Sequence, residues 1–175
     1  LFPYTTLFRL EESLRLIRVR PTHIRPEDWT PPLRLNLLGM PDVPWTTYAK
    51  LIVDTATAAG QRGGQAFFKE TARDVITHAM HALEAADLPV TLANVHDMIC
   101  ISTELTKVLA RLAERPGRAA EIELQYFKDF ADQPPEQKSG TVYTVANFLR
   151  PYTPPDIADV FCSVEPNFSL TEVDA

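Results

Sequence analysis

The chain has 175 residues, of which 45% are hydrophobic and 23% charged, and its formal net charge is −6. That length suits one domain with a real core, the composition is that of soluble globular proteins, and no run approaches the ~18 consecutive apolar residues of a membrane span. Tight sequence-independent nucleic-acid binding needs a basic face that displaces counterions, and an acidic chain does not supply one.

The first nine residues, Leu1 to Arg9, resemble translated adapter sequence and read as a non-native leader, set apart from the fold. Leu14 to Val19 is short, β-branched and partly alternating, which predicts a strand. The stretch Arg15, Arg18, Arg20 and Arg25 is the one arginine-rich run and reads as a solvated strand edge. Pro21, Pro26, Pro31, Pro32, Pro41 and Pro44 follow. Each fixes φ and removes a donor, so this part is an extended connector.

Asp42 ahead of Pro44 marks a helix start, with the cap preceding a proline in the first turn. Trp45, Tyr48, Leu51, Ile52, Val53 and Ala56 carry helical spacing, Gly60 is placed to stop it, and Gln61 to Gly64 forms a flexible turn. The clearest element runs from about Gln65 to Ala86. Phe68, Ala72, Val75, Ile76, Ala79, Met80 and Leu83 form one stripe, opposite Glu70, Arg73, Asp74, Thr77, His81 and Glu84. The stripe reads as core.

Thr91 caps the next helix, through Leu92, Val95, Met98 and Ile99, and Ser102-Thr103 looks like a second cap before Leu105, Val108, Leu109 and Leu112. Pro116-Gly117 closes that helix. Another runs from Ala119 to Phe130, with Ile122, Leu124, Tyr126, Phe127 and Phe130 apolar. A further one, Glu136 to Arg150, buries Val142, Val145, Ala146 and Leu149, and Asp156 to Phe161 forms a short helical turn. Phe168 and Leu170 alternate with polar neighbours like a strand entry. The fold class expected is mainly α, a multi-helix domain flanked by short strand stubs. Residues 10–44 form a strand and connector, 45–165 an all-α domain, and 166–175 the start of a return strand.

Chemistry-bearing residues are sparse. His78, His81 and His96, the last followed by Asp97, suggest a metal phosphohydrolase of the HD type, in which ligands converge from several helices. His81 lies on the polar side and no histidine follows His96, so the histidines read as solvated or cap-region groups. Glu121 and Glu123 are two apart on a helix, face different ways and read as a solvated face. Ser102 and Ser139 lack a nucleophile elbow, and Gly63-Gly64 lacks the spacing and the lysine of a phosphate loop. Cys100 and Cys162 sit far apart in apolar contexts, as reduced core thiols of a cytosolic protein do. No catalytic, cofactor-binding or metal residue is assigned.

The order of motifs resembles a family. Arg34-Leu-Asn36-Leu-Leu38, then Tyr48-Ala49 with Asp54-Thr55-Ala56, is similar to the segment after the phosphate loop in coupling-protein ATPases of type IV secretion and conjugation. These are the TraD/TraG-like DNA-transfer proteins of the FtsK/HerA group. Phe67-Phe68 with Ala72-Arg73, Val90-Thr-Leu92 with Val95-His-Asp97, and Ser139-Gly140 through Leu149 resemble successive helices of that family. Pro151 to Pro154 with Val160-Phe161 resembles a late helix, and Phe168 to Asp174 the lead-in to the next strand.

The resemblance covers Leu14 to Asp174 and implies a helical domain inserted into an ATPase core, on the side facing the relaxosome and substrate. It implies ATP and Mg²⁺, a homo-hexameric ring and DNA passage for the parent, at the cytoplasmic face of the bacterial inner membrane. This part would make no direct membrane contact. The family's phosphate-loop lysine lies upstream and its metal-coordinating strand downstream, so no ATP-contacting residue is carried over. The implied partner is a protein substrate or relaxosome component, a role the acidic balance favours over bare DNA. The chain is thus expected to be a non-catalytic piece of a larger motor. The alternative is a stand-alone helical interaction module.

Overall fold

The computed structural model describes residues 20, 24–25, 28–40, 42–58 and 66–169. Among these there are seven α-helices: α1 Trp45–Ala58, α2 Ala66–Ala85, α3 Leu92–Cys100, α4 Ser102–Glu114, α5 Arg118–Ala131, α6 Pro135–Leu149 and α7 Pro155–Phe161. A 3₁₀ turn, Arg150–Tyr152, joins α6 to α7. The molecule is mainly helical, as its periodicity predicts. The strand expected over Leu14–Val19, the turn Gln61–Gly64 and the strand residues beyond Ser169 lie outside the described residues.

Helix α2 is the axis of the domain and touches α1, α3, α4, α5 and α6. Ala72, Val75, Ile76, Ala79, Met80, Ala82, Leu83 and Ala86 are all buried along it. Alanines at four of these positions leave room for neighbouring helices to approach closely, while Ile76 and Met80 fill the gaps between them. Around it close Tyr48 and Val53 of α1, Val95 and Met98 of α3, Val108 and Leu112 of α4, Phe127 and Phe130 of α5, and Val145, Phe148 and Leu149 of α6. This cluster is one continuous core.

Among its described residues the connector before α1 is irregular, with bends at 32–33 and a turn at 37–38, and it has a partner. Leu35 N–H donates to the Val160 carbonyl at 2.8 Å, Leu37 N–H to Phe161 at 3.1 Å, and Ser163 N–H returns to Leu35 at 3.1 Å. Asn36 and Cys162 form an isolated antiparallel bridge. Leu33, Leu35 and Leu38 are buried beneath this seam. Asn36 secures it further, donating from Nδ2 to Val90 at 2.8 Å and accepting Leu38 N–H at 3.0 Å. The residues before α1 are thereby sewn to those after α7.

Helix ends show where local reading holds and where it slips. Thr91 is the N-cap of α3, its backbone extended and its hydroxyl accepting Asn94 N–H at 3.1 Å. Ser102-Thr103 is not the cap of α4: Ile101 holds that position with φ −117° and no side-chain bond. Ile101 closes α3 through its own N–H and opens α4 through its carbonyl, so one residue turns the chain and the hydroxyls arrive too late. Asp42 is likewise not the cap of α1. It has φ 64°, in the left-handed region, and the Pro44 carbonyl takes the first helical bonds, from Thr47 and Tyr48.

Two glycines matter. Gly117 precedes α5 with φ 136°, a conformation L side chains avoid. Gly140 lies inside α6, where a Cβ would fall 2.5 Å from the Phe68 ring, so its bare backbone lets α2 and α6 meet.

Candidate functional site

Helix α5 buries positions 120, 123, 127 and 130, a stripe of helical spacing that contains one carboxylate, Glu123. The expectation of a solvated Glu123 is therefore wrong: the residue is only 6% exposed. Phe127 and Phe130, four and seven residues on, set the register that turns Glu123 inward. Ile122, by contrast, points outward and is largely exposed.

Burying a carboxylate is costly without a partner. His78 of α2 provides it, with Nδ1 2.7 Å from a Glu123 oxygen. The imidazole also stacks on Tyr126 of α5, ring centres 3.6 Å apart and planes at 16°. Tyr126 donates its hydroxyl to Asp74 at 2.8 Å, and Asp74 lies 3.8 Å from His78 Nε2. His78, Tyr126 and Asp74 thus close a ring across two helices, with Glu123 bonded at its His78 corner and Phe127 edge-to-face with Tyr126. The Glu123 hydrogen bond raises the His78 pKa above its ordinary value, against an opposing effect of burial, and the Glu123 and Asp74 charges add to the rise. Burial raises that of Tyr126, helped by its bond to Asp74. His78 is therefore a packed, paired group, not a solvated one.

The other histidines go elsewhere. His96 Nδ1 sits 2.9 Å from the neighbouring Asp97 carboxylate. His81 is exposed, 3.9 Å from Glu84, whose other contact is the indole N–H of Trp45 at 2.9 Å. His78, His81 and His96 do not converge as HD-type ligands would, since each has its own nearest carboxylate. Among the described residues no group of three or more His, Cys, Asp or Glu could hold a metal ion.

Burial lifts the Cys100 thiol to about 11, with the Asp97 charge adding and Arg150 opposing. Cys162 is raised by burial as well, opposed by the backbone N–H groups of Ala93 and Leu92. Both are free thiols, and thiols with raised pKa are poor nucleophiles.

Two of the clefts among the described residues border the core. One, of about 400 Å³, lies between the connector and the N-terminus of α3, with Trp29, Arg34, Asn94 and Asp159 on its walls. The other, of about 430 Å³, is formed by Met40, Asp42, Val43, Pro44, Trp45, Thr46, His81 and Glu84. Its position follows from the local fold. The left-handed Asp42 bends the chain into α1, and the Trp45–Glu84 bond fixes that end of α1 to α2. It sets an aromatic wall beside two carboxylates. Sequence reasoning did not single it out, because its walls come from the loop and α1 and from α2, which are separated in sequence.

No helix among the described residues is long and apolar enough to cross a membrane. No family model matches the chain, and neither a curated protein nor a solved structure matches it.

Proposed function

We propose that this chain is the helical recognition domain of a DNA-translocating coupling ATPase of type IV secretion or conjugation, selecting a protein cargo while the motor lies elsewhere in the parent. One observation supports the reading: residues of the family resemblance take part in several of the joints of the fold. Asn36 holds the connector seam. Tyr48 accepts the Met40 N–H at 2.9 Å, and Asp54 meets Arg73 at 3.6 Å across α1 and α2. Phe68 lies against Gly140, and the Val160 and Phe161 carbonyls receive Leu35 and Leu37. Short motifs scattered in sequence that meet at packing joints are what a shared architecture leaves behind. In this reading ATP, Mg²⁺, the hexameric ring and the inner-membrane address belong to the parent.

The cleft beside Trp45 is the docking place this reading favours. Its indole and its two carboxylates, Asp42 and Glu84, suit an arginine or lysine side chain of a basic segment, and the chain's charge of −6 attracts such a segment. A cation over an exposed aromatic ring is worth about 0.5–1 kcal/mol, and exposed ion pairs add little. One residue docks weakly, so a run of basic residues is required.

A hexa-arginine peptide titrated into a Trp29→Phe background, where Trp45 is the sole indole reporter, tests the site. The fluorescence should respond saturably at low salt, and Glu84→Gln with Asp42→Asn should weaken binding about tenfold. No response, or an equal response to hexa-glutamate, contradicts it.

A further inference from the structure

The polar ring between α2 and α5 is more than a satisfied core group, because its members differ in what they need. Glu123 stands in a stripe whose other members are Ala120, Phe127 and Phe130. It is the carboxylate of the ring most shielded from water, with one oxygen 2.7 Å from His78 Nδ1. The groups that face His78 are Glu123 and Tyr126 from α5 and Asp74 from its own helix. Among the described residues, none of α1, α3, α4 or α6 forms an ion pair with it. Helix α5 packs on α2 and α4, so the ring is a main fastening of α5 to the axis.

We infer that the His78–Glu123 pair is a proton-operated clasp that sets how firmly α5 docks on α2. With the imidazole protonated, Nδ1–H donates to Glu123, and the cation lies beside both Glu123 and Asp74, offsetting one of their two negative charges. When the imidazole loses its proton it can still donate one N–H, but the ring then holds two carboxylates and no cation. Glu123 is left as an uncompensated charge in the seam, and α5 loosens. The tyrosine senses the same change through its stacked face and its bond to Asp74.

The direction follows from linkage. The folded-state value of His78 is raised above its ordinary 6.5. Its stabilising contribution is therefore full below about pH 6.5 and is lost as pH rises through the raised value. The clasp holds in mild acid and releases as pH rises through the raised value.

The test uses the full chain. Hydrogen exchange of α5 amides, corrected for intrinsic rates, is compared at about pH 6 and about pH 8.5, and protection should fall at least about fivefold. Glu123→Gln keeps a hydrogen-bonding side chain without charge, and it should abolish that pH dependence while the pH response of α1 amides stays unchanged. Independently, the His78 imidazole resonance, assigned through its contact with the Tyr126 ring, should titrate with a midpoint above 6.5. This measurement needs no variant and stands if Glu123→Gln does not fold. Protection of α5 that does not change with pH, or a His78 midpoint at or below the ordinary value, overturns the clasp.

Discussion

Phe127 shows the difference between what a residue is and where it sits. It has no exposed surface, and it packs edge-on to both Tyr126 and Phe130. Phe127→Ala removes a large side chain from the middle of the core and should cost about 3–5 kcal/mol in urea unfolding. Within the polar ring, Tyr126→Phe removes only the hydroxyl bonded to Asp74. Because the ring can still stack on His78, its cost should be about 0.5–1.5 kcal/mol. If Tyr126→Phe proved as damaging as Phe127→Ala, the hydroxyl would be an essential tie and the stacking account would fail. Glu123 was legible in principle from its 120, 123, 127, 130 spacing. His78 as its partner was not, because nothing in a linear sequence brings α2 to α5.

At the scale of elements, the long stripe of α2 and the Thr91 cap were readable because they depend on neighbours three or four residues away. The seam of Leu35, Leu37 and Asn36 with Val160, Phe161 and Cys162 was not readable, since one segment looks like an unpaired connector and the other like the end of a helical turn. Ser102 and Asp42 failed as caps for a related reason. The chain path into each helix was decided by Ile101 and by the left-handed turn at Asp42, not by the nearest hydroxyl or carboxylate.

Gly140 offers a test of packing between elements. Alanine normally gains about 1 kcal/mol over glycine inside a helix. Here the added Cβ meets the Phe68 ring, so Gly140→Ala should show no such gain in the native sequence. In a Phe68→Ala background the gain should return. Equal effects in both backgrounds would mean that Phe68 does not constrain α6.

At the scale of the whole molecule, the domain is an apolar core around α2 with a fastened connector, an acidic balance of charge and a cleft that joins aromatic and carboxylate groups. The mainly helical class was legible from periodicity alone. The cleft was not, because Asp42 and Glu84 approach each other only when α1 is tied to α2 through Trp45. The proposed role depends on a motor encoded beside this domain, and that is open to direct inspection. Sequencing the reading frame on both sides of the coding segment is the measurement that decides it. The account predicts a glycine-rich loop ending in Lys-Ser or Lys-Thr upstream and an acidic, metal-coordinating strand downstream. A reading frame that carries neither would contradict it and leave an independent helical interaction module.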